Sequence, residues 1–426
     1  MEQINGQGRL TLGGADVAAL AAEYGTPLYL MDEDAIRDHC RAFVGALAEA
    51  YPGDGRVAYA SKAFCCTHMS RILKEEAMLT DVASGGELYT ALQAGFPPEG
   101  IIFHGNNKTE SELRYAIQNN IRRIVANGVE ELERVSRIAA GLGKTASVSL
   151  RLSPGIEIDA HSAVQTSKLD SKFGVPIETG VAFGAVKLAL SLPSVKLEGV
   201  HCHLGSPVFA TEPYTQAADV MLAFMARVRD ELAYTLDELN LGGGFAVRYL
   251  PEQEVRGIPE YIEVISEAVQ AAAARYSFPL PSLVIEPGRR IVADTGLTVY
   301  TVGSVKEIPG VRTYVSVDGG LPDNPRYMLY GAKYEITLPE RASGEKTQTV
   351  TLAGRCCENE LLGSDMPVQP VKPGDFLAVL KTGAYNYSMA SHYNRVPKPP
   401  VVMLRGGEAF VAVRRETWED VCRMDV

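Results

Sequence analysis

From about residue 57 to residue 286, short apolar runs alternate with longer stretches whose apolar positions recur at helical spacing. That alternation marks strands buried on both faces and joined by amphipathic crossover helices. Eight strands are predicted, over residues 57–61, 78–83, 101–104, 123–126, 147–152, 197–203, 236–241 and 283–286. Helices are predicted between them, for example over 86–94, 110–119 and 261–274, the first two running into the helix stops Gly95 and Asn120. Eight β/α units within roughly 230 residues favour a closed (β/α)8 TIM-type barrel over the alternative, a doubly wound open sheet.

After Arg290 the period changes to two, with strands predicted over 297–305, 313–317, 347–352, 376–380, 400–404 and 409–413. This is a second, mostly β domain. The run Pro27-Leu28-Tyr29-Leu30-Met31 would be a ninth strand, so it belongs to the lead-in or to another sheet. The expected division is a barrel over 32–289, with 1–31 and 290–426 forming a β-sheet domain that contributes substrate-binding and catalytic residues.

Composition narrows the function classes. Of 426 residues, 46% are hydrophobic and 22% charged, the balance of an ordinary folded globular chain. The net charge of −11 opposes the phosphate backbone, so nucleic acid is not an expected partner, although a local basic pocket for a small anion stays compatible with it. No run approaches the ~18 apolar residues of a membrane span, and Met1 to Asn5 show no leader pattern, which points to the cytoplasm and to no membrane partner. Seven cysteines without a CxxC pair indicate free thiols, not a disulfide framework or a zinc ribbon.

In such a barrel the chemistry sits where strands end. The first strand ends Tyr59-Ala60-Ser61-Lys62, offering an amine that can form a Schiff base; taken alone, a surface lysine in a loop is the plainer reading. Another ends His201-Cys202-His203-Leu204-Gly205-Ser206, whose histidines share one face. With no third ligand at metal spacing, a histidine stacked on a flat ligand or satisfied in the core is favoured, and no metal is expected. Gly242-Gly243-Gly244 can gather N–H groups around an anion, and Glu286-Pro287-Gly288-Arg289 joins a carboxylate to a rigid turn and a guanidinium. Together these suit pyridoxal 5'-phosphate: lysine for the aldehyde, glycines and Ser206 for the phosphate, histidine for a ring face and glutamate for the pyridinium nitrogen. In the β domain, Cys356-Cys357-Glu358 sets thiols beside a carboxylate, and Gly383-Ala384-Tyr385 follows a turn; either is also compatible with ordinary core or loop.

These segments, in this order, resemble the alanine-racemase-like pyridoxal phosphate enzymes and, within them, the diaminopimelate decarboxylases. The resemblance runs from about residue 24 to 404 and includes Tyr59-Ala60-Ser61-Lys62-Ala63, Ser84-Gly85-Gly86-Glu87-Leu88, Lys172-Phe173-Gly174, His203-Leu204-Gly205-Ser206, Gly242-Gly243-Gly244, Glu286-Pro287-Gly288-Arg289, Leu329-Tyr330-Gly331-Ala332, Cys357-Glu358 and Gly383-Ala384-Tyr385. It implies that Lys62 is the Schiff-base lysine and His203 the ring-stacking residue. Ser206, Gly243, Gly244, Glu286, Pro287, Gly288, Arg289 and Tyr385 would complete the cofactor contacts. Arg289, Arg326, Tyr330, Glu358 and Tyr385 would hold an amino-acid substrate, and Cys357 would return the proton to the α-carbon.

The resemblance further implies a homodimer with shared active sites, Cys357 and Glu358 serving the second subunit, and conversion of meso-2,6-diaminopimelate to L-lysine and carbon dioxide. The rivals are decarboxylases of ornithine, arginine or carboxynorspermidine. Aspartate typically follows the cysteine in the ornithine and arginine enzymes, so Glu358 with Arg326 and Tyr330 favours diaminopimelate. A non-catalytic regulator is disfavoured by Lys62, Cys357 and the 286–289 turn. One departure stands out: the family often continues Cys-Glu with Ser-Gly-Asp, whereas this chain reads Asn359-Glu360-Leu361. Cys356 also precedes Cys357, and the family pattern selects the latter because it adjoins Glu358.

Overall fold

The computed structural model of the chain describes residues 2–157 and 171–426. It divides into two compact units, one comprising Cys40–Ala246 and Val255–Gly288, the other Met1–His39, Val247–Glu254 and Arg289–Val426.

The first unit holds β1 (Gly55–Ala60), β2 (Leu79–Val82), β3 (Ile101–Phe103), β4 (Arg123–Ala126), β5 (Ala146–Ser153), β6 (Val195–His201), β7 (Glu238–Asn240) and β8 (Ser282–Ile285). Each pairs in parallel with the next, and β8 returns to β1 through Leu283↔Gly55, so the sheet closes into a (β/α)8 barrel. All eight predicted strands are present. Several end a residue or two earlier than expected, leaving His104, His203 and Glu286 just beyond their strands rather than within them. Apolar residues from four strands, Ala58, Ile102, Val125 and Val284, form one buried cluster.

Local signals start the connecting helices. Thr109 accepts the Glu112 N–H while the Glu112 carboxylate accepts the Thr109 N–H, a reciprocal cap that opens the helix Glu110–Gln118. Ser84 caps Gly85–Gln93 in the same position. At the amino ends of the strands, Glu238, the first residue of β7, takes two hydrogen bonds from Arg123, the first residue of β4, at 3.0 and 2.9 Å, and one from Arg122 at 2.9 Å. Burial pushes the Glu238 carboxyl up, but the two guanidiniums outweigh it and hold it below the ordinary range.

The second unit is built on a mixed sheet. Its strand order is Leu361–Val368, Gln348–Ala353, Arg312–Val317, Gly296–Ile308, Leu28–Asp32, Val401–Arg405 and Glu408–Val413, with Phe376–Val379 also paired to Gly296–Ile308. The run near Leu28 therefore belongs to this sheet, between one antiparallel and one parallel neighbour. Sequence periodicity missed the strand Leu361–Val368. Gly363, Pro367 and a positive φ at Asp365 interrupt its alternation, and its register against Gln348–Ala353 shifts twice. Tyr300, Val315, Leu352, Val368 and Leu377 anchor one buried cluster, and Leu12, Leu28, Leu30, Val299 and Leu404 another.

Glu238→Ala removes the two direct carboxylate hydrogen bonds of buried Arg123 and leaves it, as an anion, only the longer 3.8 Å approach of Glu198, and is expected to destabilise the barrel by about 3 kcal/mol. Because the folded carboxyl is depressed, its contribution is present above the ordinary glutamate range and is lost as pH falls through the folded value. Denaturant midpoints of wild type and variant, taken at neutral and acid pH, should therefore converge at acid pH.

Candidate active site

In the barrel unit, β1 runs directly into a single turn, Ser61–Ala63, in which Ser61 and Ala63 are buried while Lys62 is exposed. The turn is braced from two sides. The Ser61 hydroxyl donates to Glu87 Oε2 at 2.8 Å, which also accepts the Ala83 N–H at 2.6 Å, and the Ala60 N–H donates to the Pro287 carbonyl at 3.1 Å. A Cβ at Gly288 would stand 2.9 Å from the Ala60 Cβ, so only glycine lets the 286–288 turn lie against this strand end.

The loop after β7 is glycine for a steric reason. A side chain at Gly243 would meet the Glu286 carbonyl at 2.0 Å, and one at Gly244, where φ is +112°, would meet the Gly205 carbonyl at 2.5 Å. Backbone therefore packs on backbone, leaving amide groups free of Cβ shielding beside half-buried Ser206. The Gly243 N–H donates to His203 Nδ1 at 3.2 Å, which puts the imidazole proton on Nε2. Burial, with Lys62 and Arg151 nearby, pushes the His203 pKa well down, so the ring is neutral and suited to lie against a flat ligand.

Four strand ends meet at Glu286. Its Oε1 accepts from His104 Nε2 at 2.7 Å and from Asn240 Nδ2 at 2.7 Å, and Oε2 accepts from His201 Nε2 at 3.2 Å. The Gly242 N–H donates to Asn240 Oδ1 at 2.9 Å, which fixes the amide so that its NH2 must face the carboxylate. Burial pushes Glu286 up, but the histidines and the bonds they donate overcome it and hold the carboxyl well below the usual range. Burial also lowers His201 to about 4 and raises buried Asp81 to about 6, the latter against the opposing pull of His104 and Lys62. The ligand atoms of His104, His201 and Glu286 lie within 4.8 Å of one another, close enough to hold an ion. Near His201 the chain offers no third ligand; the fold brings one from β3 and one from β8. An ionised, buried carboxylate with an oxygen still able to accept is equally the partner a pyridinium N–H requires, and pyridoxal phosphate fits this set: amine, glycine cradle, neutral ring and carboxylate.

The remaining candidates lie in the β unit. Arg289 Nη1 donates to the Tyr249 hydroxyl at 3.1 Å, and Arg326 Nε to the Tyr334 hydroxyl at 3.1 Å. The Tyr385 ring has both guanidiniums at its face, 4.9 Å away for Arg289 and 5.1 Å for Arg326, while Tyr330 lies 5.2 Å from Arg326. Gly383, whose Cβ would stand 1.9 Å from the Val292 carbonyl, lets the chain turn tightly before Tyr385. Cys357 and Glu358 are exposed, with Glu358 Oε1 accepting from the Tyr393 hydroxyl. Cys356 is half-buried, and burial and Glu360 push its thiol up to about 12. That separates two adjacent cysteines that sequence alone could not.

Thus Lys62, His203, Ser206, Gly243, Gly244, Glu286, Pro287 and Gly288 gather in one unit, and Arg289, Arg326, Tyr330, Cys357, Glu358 and Tyr385 belong to the other. Sequence reasoning overlooked Asp81, His104, Arg151, Asn240, Tyr249 and Tyr334. The first four lie within or just beyond barrel strands, and reading every strand terminus for polar residues would have found them.

A lysine, an anion cradle and a buried carboxylate at the carboxyl ends of barrel strands define the barrel class of pyridoxal phosphate enzymes. The chain belongs to the pyridoxal-dependent decarboxylases, whose pyridoxal binding domain pattern matches residues 33–293, and its place among them is with the diaminopimelate decarboxylases. It is 45% identical over 423 residues, covering 99% of this chain and 96% of the relative, to the diaminopimelate decarboxylase of Bacillus subtilis strain 168. The solved diaminopimelate decarboxylase of M. jannaschii in complex with L-lysine superposes with a TM-score of 0.91 at 32% identity, covering 100% of this chain and 98% of that one. The Helicobacter pylori diaminopimelate decarboxylase with L-lysine gives 0.86 at 30% identity, covering 96% and 98%. Pyridoxal 5'-phosphate is the cofactor of this family.

Gly243→Ala drives a methyl group into the Glu286 carbonyl and should weaken cofactor affinity by about 5- to 100-fold, since each 1.4 kcal/mol is a decade and overpacking costs about 1–3 kcal/mol. Titration of the apoprotein with pyridoxal phosphate, followed by visible absorbance, measures it.

Proposed function

We propose that the protein decarboxylates meso-2,6-diaminopimelate at its D centre, releasing carbon dioxide and L-lysine, and that it does so as a cytoplasmic homodimer with shared active sites. The observation that carries the substrate assignment is Arg326. It is buried, held by a tyrosine hydroxyl and two aromatic rings, and makes no ion pair with a carboxylate among the described residues. A guanidinium so placed is set to receive a substrate carboxylate bidentately. The family membership and the lysine-bound relatives support the same substrate class.

When bound, pyridoxal phosphate supplies the sink for the electron pair left by carbon dioxide. The chain supplies the rest. Lys62 would hold the cofactor aldehyde, His203 would cover a face of the ring, Ser206 and Gly244 would take the phosphate with Gly243 shaping the cradle, Glu286 would take the pyridine nitrogen, and the Pro287-Gly288-Arg289 turn and Tyr385 would complete the cofactor contacts. Arg289, Arg326, Tyr330 and Tyr385 would orient the substrate through its carboxylates, while Glu358 would accept the distal ammonium. Once carbon dioxide has left, Cys357 Sγ would return a proton to the α-carbon. Cys357 and Glu358 are exposed on the single chain, which suits residues that complete the site of a partner subunit.

Carbon dioxide release from meso-diaminopimelate should exceed that from ornithine or arginine by roughly 10²- to 10³-fold or more in kcat/KM, because a buried arginine left without its anion costs about 3–5 kcal/mol. Comparable rates on ornithine or arginine would move the protein to the rival decarboxylases. Lys62→Ala and Cys357→Ala should each be inactive, and mixing them with random subunit exchange should restore about a quarter of the wild-type sites. If exchange is demonstrated and activity stays absent, each chain builds its own site.

A further inference from the structure

Between exposed Cys357, Glu358 and Asn359 and the strand that follows, one side chain turns inward. Glu360 is 3% exposed, and its two oxygens accept the N–H groups of Cys356 and Leu321. Two glycines make room for it. A Cβ at Gly320 would lie 2.8 Å from either carboxylate oxygen, and one at Gly354 would lie 2.4 Å from Oε1. No lysine or arginine pairs with Glu360 among the described residues. A buried carboxylate without a cation is an expensive way to satisfy two amides. What it offers over a neutral acceptor is strength, since a charge-assisted hydrogen bond is roughly twice as strong as a neutral one.

The two amides belong to different segments. Cys356 precedes the proposed acid and ammonium acceptor, Cys357 and Glu358. Leu321 sits in the loop that leads into the helix Arg326–Tyr330, which carries the proposed carboxylate clamp. That loop is held by a second buried acid: Asp323 Oδ2 accepts the Gly320 N–H at 3.1 Å, and Oδ1 accepts the Tyr300 hydroxyl. The family's frequent Cys-Glu-Ser-Gly-Asp places a carboxylate four residues after the cysteine, whereas here it comes three residues after, on a side chain one methylene longer. A shorter spacer and a longer reach compensate one another.

We propose that Glu360 is a positioning residue: by clamping the backbone at Cys356 to that at Leu321, it fixes where the Cys357 thiol and Glu358 carboxylate stand relative to Arg326. This rests on the roles assigned above to Cys357 and Glu358. Glu360 acts through the loop, not by touching substrate or cofactor, and the same carboxylate adds to the effect of burial in raising the neighbouring Cys356 thiol.

The test uses full-length, cofactor-loaded enzyme. Glu360→Gln should lower kcat/KM for meso-diaminopimelate by about 10- to 100-fold, the scale of a misplacement near 1 Å, with cofactor absorbance unchanged. Iodoacetamide at ~pH 8, read by peptide mass spectrometry, should label Cys356 at least about tenfold faster in the variant than in wild type. Glu360→Asp, a milder change if the glutamine variant folds poorly, should lose activity because it no longer reaches both amides. Replacing Asn359-Glu360 by Ser-Gly-Asp should restore most of the rate by pairing the shorter acid with the longer spacer. The proposal is overturned if Glu360→Gln lowers only the melting temperature and keeps kcat, KM and Cys356 labelling at wild-type values, or if the Ser-Gly-Asp exchange is no better than Glu360→Asp. Cys357→Ala is run in parallel: full activity there would refute the acid assignment, while Cys356 labelling would still report on the clamp.

Discussion

Strand register in the barrel is the constraint on which the cofactor site depends. Parallel pairing sets His201 beside Asn240 and Asn240 beside Val284, and Glu286 follows two residues later. His104 follows β3 by one residue and reaches the same carboxylate across 182 positions of sequence. A slip of one residue in any of these strands would turn its terminal side chain to the other face and leave a buried carboxylate short of a donor. Closure of the barrel enforces the register, since each strand is locked by two neighbours and none lies at an edge. The buried Arg123 and Glu238 pair ties β4 to β7 at the opposite, amino ends of their strands, away from the Glu286 cluster.

The same economy of space explains the glycines around the site. Each is there because a neighbouring group crowds the position of its missing Cβ: the Glu286 carbonyl at Gly243, the Gly205 carbonyl at Gly244 and the Ala60 side chain at Gly288. These contacts lock the loops after β1, β6, β7 and β8 into one mutually supporting surface. A preorganised cradle of amides follows from the packing, without side chains to direct it.

In the β unit the organising group is aromatic. Tyr385 presents its ring to two buried guanidiniums, so like charges are brought close with an electron-rich face beside both. Tyr249 and Tyr334 donate position rather than charge, each hydroxyl accepting from one arginine. Arg326, which makes no ion pair with a carboxylate among the described residues, thereby keeps its attraction for an incoming anion. Glu360 extends the logic to the neighbouring loop, where a buried carboxylate accepts two backbone amides from different segments while Glu358 stays at the surface.

What the chain determined by itself is local. Apolar runs with helical intervals are enough to count eight parallel strands, because burial on both faces leaves few choices of residue, and a change to period two announces the β unit. Lys62, the glycine triplet and the Glu286 turn were legible because each interrupts an apolar run where a barrel strand must end. The strand Leu361–Val368 was not, since its alternation is broken by bulges that only a paired neighbour accommodates. Nor were the donors to Glu286, the bracing of the Ser61–Ala63 turn by Glu87, or the difference in burial between Cys356 and Cys357. Each of these depends on a partner supplied from elsewhere in the chain, and burial, pKa and hydrogen bonding are properties of surroundings that exist only once distant strands and loops have been brought together.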